Sequence, residues 1–130
     1  MTIRCFEDLQ IWQEARKLTI SIYDATRLPS FARDFGLVNQ IRKASISTGS
    51  NIAEGHERGG KQEFLQFLSV AKGSSGEVRS QLYLARDPGY IEKDKCEQLI
   101  GDFKRLTSMI SSFMKYLKTS DYKGTKYKTS

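Results

Sequence analysis

The chain has little of the chemistry that most enzymes are built around. Its 130 residues include two cysteines, two prolines, one tryptophan and one histidine. Cys5 and Cys96 stand alone, which excludes paired zinc or redox motifs and fits a reducing cytoplasm. With His56 the only histidine, neither a Cys/His nor a Ser/His/Asp nucleophilic set can be assembled with any support from spacing. Gly55 to Gly60 follows no strand and lacks the Gly-Lys-Ser/Thr ending of a phosphate-binding loop. No stretch suits a membrane span, and Met1 to Trp12 carries Glu7 and Asp8 where a signal peptide would be apolar, so no export is expected. Charged residues at 28% and hydrophobic ones at 38% argue against disorder and suit one soluble domain.

What is present is helical periodicity. From Gln62 to Arg86, Phe64, Leu68, Ala71, Ser75, Val78, Leu82 and Ala85 recur at alternating spacings of four and three, which keeps one stripe facing neighbouring helices. Phe67 and Leu84 are expected to widen the stripe. Gly73 and Gly76 interrupt it, each costing about 1 kcal/mol of helix propensity, and close approach of another helix is the readiest explanation. Before this segment, Leu9, Trp12, Ala15 or Arg16, Thr19, Ile22 and Tyr23 trace a first helix, broadened by Ile11, Leu18 and Ala25. Leu28-Pro29-Ser30 ends it, and Leu28 to Asp34 reads as a connection. Leu37, Ile41, Ala44, Thr48 and Ile52 mark a second helix, with a kink expected at Gly49. Gly60 is a candidate N-cap for the third. After the turn Asp87-Pro88-Gly89-Tyr90, Cys96, Leu99, Phe103, Leu106, Ile110, Phe113 and Leu117 make the cleanest amphipathic track. The expected helices cover about 6–27, 35–56, 61–87 and 92–118, followed by a basic tail at 119–130. Short connections force neighbours to run oppositely, so the fold expected is an all-α antiparallel up-and-down four-helix bundle.

The segment Gly36 to Ile91 also resembles a known family. The matching pieces are Gly36-Leu37, Gln40-Ile41-Arg42-Lys43-Ala44, Ser50-Asn51-Ile52-Ala53-Glu54-Gly55, Glu63-Phe64, Phe67-Leu68, Ala71-Lys72-Gly73-Ser74, Glu77, Gln81-Leu82 and Gly89-Tyr90-Ile91. Phe6, Leu9 and Trp12 resemble its opening. The family is that of the bacterial four-helix bundle proteins first noticed as products of intervening sequences in 23S ribosomal RNA genes. The resemblance implies a left-handed antiparallel bundle assembling as a ring-shaped homopentamer. It also implies kinship with the accessory variability determinant protein of diversity-generating retroelements, which binds a reverse transcriptase and nucleic acid. The chain departs from the family pattern at Gly49, Gly60 and Pro88, where the family usually has proline, serine and leucine.

Charge supplies the functional reading. The net charge is +6, and the segment Lys115 to Ser130 accounts for +4 of it through Lys115, Lys118, Lys123, Lys126 and Lys128 against Asp121. Tyr116, Tyr122 and Tyr127 are interleaved. Basic residues among aromatics can neutralise phosphates and stack on bases; a lysine-rich terminus is more often a solvated end. Arg42, Lys43, Arg58 and Lys61 are candidates for a further basic surface, with Arg33, Lys72 and Arg79 elsewhere. Gln40, Asn51, Glu54, Glu63, Glu77 and Gln81 are read as a polar motif forming interhelical or inter-subunit hydrogen bonds. Glu54, Glu63 and Glu77 suggest a di-metal carboxylate site, but the required Glu-x-x-His motifs are absent, so no metal, cofactor or enzymatic activity is expected. Two functions remain: a homopentamer binding structured RNA or DNA, or an adaptor docking a reverse transcriptase or other RNA-processing partner. Both place the protein in the cytoplasm.

Overall fold

In the computed structural model, which describes residues 3–122, the stripe expected for the central helix is buried throughout. Phe64, Leu68, Ala71, Ser75, Val78, Leu82 and Ala85 are all fully enclosed. They lie on α4 (Lys61–Arg86), which packs between α3 (Phe35–Glu57) and α5 (Lys93–Thr119). α1 (Gln10–Thr26) covers α3 and meets α5, and a short 3-10 turn at Phe6–Asp8 leads into it. The described residues contain no strand. Contacts between Thr19 and Ser45, Ser47 and Ser74, and Ser75 and Thr107 fix the register of α1 on α3, α3 on α4 and α4 on α5. Each successive long helix therefore runs opposite to the one before it, which is the up-and-down bundle expected.

Hydroxyl groups hold these three seams together. Ser45 Oγ donates to Thr19 Oγ1 at 2.9 Å, and Ser47 and Ser74 share a 2.9 Å bond. Ser75, fully buried, reaches the Phe103 carbonyl at 3.1 Å and the Thr107 hydroxyl at 2.9 Å. A serine on a packed face lets helix axes approach while satisfying its own polar atom, so small polar residues here replace apolar knobs without leaving an unpaired group. Close approach is tightest at Gly55, where a Cβ atom would lie 2.7 Å from Phe67 Cβ and 3.0 Å from Phe64 Cδ1.

Several expectations need correction. Gly73 does not admit another helix of this chain: a Cβ there would meet nothing within 4 Å, and one at Gly76 would meet only Arg79 Nη2 at 3.9 Å. Both lie on the side of α4 turned away from the core. Leu84 does not widen the buried stripe either, being 58% exposed. On α1 the core face is Ile11, Ala15, Leu18, Ile22 and Ala25, because Trp12 and Thr19 sit at the seam with α3 and only part of each is enclosed. The connection after α1 contains a helical turn, α2 (Pro29–Ala32), with proline at its first position and Phe31 fully buried. Pro29 pre-sets the backbone angle there and lacks a donor that would be unsatisfied anyway.

The helix ends follow their residues. Asp34 accepts from the Leu37 amide and Glu92 from those of Asp94 and Lys95, each satisfying donors at a helix start. Gly60 caps α4 through extended backbone without a side-chain bond. Gly59, just past the end of α3, has φ +83°, the left-handed geometry that glycine adopts at a helix C-terminus without strain.

Candidate nucleic-acid interface

The basic residues singled out in the sequence divide between two ends of the bundle. Arg42 and Lys43 lie in the first half of α3, whereas Arg58 and Lys61 flank the α3–α4 turn, about 24 Å further along the helix axis at 1.5 Å per residue. They do not form one surface. Arg42 is half-buried: its Nε donates to Thr26 Oγ1 at 2.9 Å, and its guanidinium lies 4.4 Å from the centroid of the Tyr23 ring. It clasps α1 to α3 through stacking and a directed bond that lysine could not reproduce. Lys43 is exposed. Arg58 pairs with Glu54 at 2.8 Å one turn back on the same helix and covers the Phe67 ring.

Lys61 is committed to the fold. Its Nζ donates to the Lys118 and Ser120 carbonyls at 3.3 and 3.1 Å, supplying partners that the end of α5 lacks internally. That clasp brings Lys115 and Lys118, both exposed, to the same end of the bundle as Arg58. Tyr122 packs over Phe64 there, which in turn meets Phe113 edge-on, and burial raises the Tyr122 hydroxyl above its ordinary pKa. Lys123, Lys126 and Lys128 lie outside the described residues. Arg33 is exposed near the far end of the bundle.

The polar motif acts mainly within helices. Asn51 donates to Ser47 O and Oγ at 2.8 and 2.9 Å, and Ser47 passes the chain on to Ser74 across the α3–α4 seam. The Glu54–Arg58 pair stays on one helix and about half exposed, where residues four apart are neighbours, so it fixes no interhelical register within the chain. Glu63 is half-buried, Gln40 and Glu77 are exposed, and Gln81 is buried with its Oε1 unbonded.

His56 is the surprise of this region. It lies in the last turn of α3, at the helix end as expected, but only 4% exposed, with its ring edge-on to Phe64. Neither ring nitrogen has a hydrogen-bond partner, and Nδ1 sits 3.7 Å from Glu57 Oε1. Among the described residues no three His, Cys, Asp or Glu side chains converge as metal ligands would. Burial raises the pKa of the Cys96 thiol, which donates to the Leu82 carbonyl. A groove of about 720 Å³ between the N-terminal segment and α5 is walled by Ile3, Leu9, Ile11, Met109, Phe113 and Tyr116; its lining includes no histidine or cysteine.

Residues 7–112 match the family described as 23S rRNA-intervening sequence protein. The chain belongs to that family. A solved structure from Bacteroides thetaiotaomicron, described as a protein of unknown function from the S23 ribosomal protein family, is similar in fold. The two are 21% identical with a TM-score of 0.75, over 81% of this chain and 98% of that one. Comparison with the curated proteins gives no match. For this family member, no helix among the described residues is long and apolar enough to cross a membrane.

The sequence treated Lys72 and Arg79 as separate from the other candidates and passed over Lys104. Lys72 and Lys104 are exposed and Arg79 is half-buried, on the paired helices α4 and α5. A signal was present in the three- and four-residue spacing of Gly101, Lys104, Ser108, Ser111, Lys115 and Lys118, which marks one flank of a helix.

Proposed function

We propose that this family member is a non-enzymatic, cytoplasmic, homopentameric bundle that binds nucleic acid, structured RNA in particular, through its basic surface. The observation that carries this reading is the end of α5. Lys115 and Lys118 are exposed there and have no carboxylate within ion-pair distance among the described residues, and the sequence continues from them into Lys123, Lys126 and Lys128. Unpaired cations on consecutive turns can release counterions from a phosphate chain. Five copies on a ring would add avidity wherever one polymer spans them. The family's description, which ties it to ribosomal RNA genes, supports the same direction.

The test is an anisotropy titration of labelled structured RNA at several salt concentrations, with mass measured by light scattering on the same sample. Binding that weakens steeply with salt at a mass of five chains is the expected result. An intact pentamer that binds nothing at low salt would remove this reading. The alternative, an adaptor docking a reverse transcriptase or RNA-processing partner, draws on the exposed Val70 and Leu84 of α4 and Ile46 of α3. It expects a complex reconstituted from purified components to survive nuclease.

A further inference from the structure

The edge between α4 and α5 carries a series of spaced cations. Its register is set at both ends and in the middle: Lys61 reaches Lys118 and Ser120, Ser75 reaches Thr107, and Arg86 lies 3.8 Å from Glu97. Because Lys61 and Arg86 both touch α5, the α4 flank that joins them at helical spacing, through Lys72, Gly76 and Arg79, runs along α5 for its whole length. The α5 residues in phase with Glu97 at helical spacing include Gly101, Lys104, Ser111, Lys115 and Lys118. Glu97 is the only carboxylate on the two flanks, and it faces Arg86. Lys72, Arg79, Lys104, Lys115 and Lys118 have no carboxylate within 4 Å among the described residues. From Lys61 to Arg79 the track extends about 27 Å at 1.5 Å per residue.

Arg79 stands out on this edge. It is half-buried, its Nε is enclosed without a hydrogen-bond partner, and its Nη2 lies within 3.9 Å of where a Cβ of Gly76 would stand. Gly101, with open space where its Cβ would be, and the small side chain of Ser111 leave the surface between the cations low and polar. No aromatic ring interrupts the track between Lys72 and Lys118. Tyr83 is covered by Arg86, and Tyr116 is stacked on Phe113.

Resting on the nucleic-acid reading above, we infer that the α4–α5 edge is a track for the sugar-phosphate backbone of duplex nucleic acid. It is contacted by Lys72, Arg79, Lys104, Lys115 and Lys118 without base readout. Positive charge with hydroxyl donors positions a backbone and carries no sequence information. Tyr83 and Tyr116 border the track with one side of each ring engaged by Arg86 and Phe113, so the contact rests on the cations rather than on stacked bases, which a duplex keeps paired inside.

The experiment uses the full chain and 20-base-pair RNA and DNA duplexes of generic sequence, with a 20-nucleotide single strand as comparison. The variant K72Q/R79Q/K104Q is set against R4Q/K17Q/K95Q, which removes equal charge from elsewhere. Three lost phosphate contacts make the slope of log K against log salt shallower by about 2.7 per engaged subunit. The control triple keeps the wild-type slope, and wild type prefers the duplexes over the single strand. K72Q/K104Q, which spares the half-buried Arg79, is expected to lose about 1.8 and guards against misfolding. If wild type binds but the edge variants keep its slope, the track is overturned while nucleic-acid binding stands. A slope that falls equally in the control triple also overturns it, since net charge alone then suffices. A preference for the single strand overturns the duplex assignment. If wild type binds none of the three probes at low salt, the broader reading fails and takes the track with it.

Discussion

The same substitution, glycine to alanine, should move stability in opposite directions at two positions. At Gly73 the added methyl meets nothing within 4 Å, so Gly73→Ala should gain the full difference in helix propensity, about 1 kcal/mol. At Gly55 the methyl would stand 2.7 Å from Phe67 Cβ, with the Phe64 ring at 3.0 Å. Phe67 Cβ is bonded directly to the backbone of α4, and Phe64 is fully enclosed, so relief requires the α3–α4 seam to open. Overpacking of this kind costs about 1–3 kcal/mol. After the propensity gain, Gly55→Ala should end roughly 1 kcal/mol below wild type, about 2 kcal/mol below Gly73→Ala. Urea midpoints at several protein concentrations measure this directly, and thermal midpoints should separate the two variants by about 8 °C. A Gly55→Ala protein as stable as Gly73→Ala would refute the reasoning. A loss at Gly73 that deepens on dilution would place a neighbouring subunit on the outer face of α4.

Ser75→Ala should lower stability by about 1 kcal/mol in urea unfolding, because the Phe103 carbonyl and Thr107 hydroxyl lose a buried partner while Thr107 keeps its own bond to Phe103; no change would mean that the seam does not need its hydroxyl. Tyr90 donates to Asp34 Oδ2 at 3.0 Å, and that bond is the main cause that raises its pKa above the ordinary 10.0. The folded state therefore holds the proton longer, so this contribution is complete below pH 10 and is lost as pH rises through the folded value. Tyr90→Phe should flatten that alkaline loss, and a pH–stability curve parallel to wild type would contradict it. A thiol reagent should label Cys5 in the native protein and Cys96 only after unfolding, since Cys96 is fully enclosed. The Asp8 side chain is the main cause that raises the Cys5 thiol's pKa, so Asp8→Asn should speed labelling of Cys5 near neutral pH, and an unchanged rate would count against that bond.

The tracks on α4 and α5 were legible because every third or fourth residue is apolar and the period alone selects a face. On α1 the period was equally clear, but two overlapping stripes were available, and packing against α3 decided that Leu18 and Ala25 lie inside while Trp12 lies at the seam. The glycines of α4 misled for a related reason. A one-dimensional reading registers the propensity cost of Gly73 and assigns it to a buried contact; the contact that needs a glycine is Gly55, on a different helix. His56 illustrates the limit for polar groups, since its spacing places it at a helix end but says nothing of Phe64 closing over it. The candidate surface was legible only in part. Lysines can be counted from the chain, but Lys61 bonds to the carbonyls at the end of α5 and Arg42 clasps Thr26 and Tyr23, which no spacing reveals.

The sequence by itself determined the number of long helices, the bounds of the last three to within about a residue, and the family resemblance, because periodicity, capping residues and glycine or proline punctuation act over one or two turns; α1 starts at Gln10 rather than near Phe6, which lies in a separate 3-10 turn. Tertiary structure alone decided which small residues mark a seam and which cations are free to meet a ligand. Those properties depend on what stands opposite a residue, and residues opposite one another here are tens of positions apart in the chain.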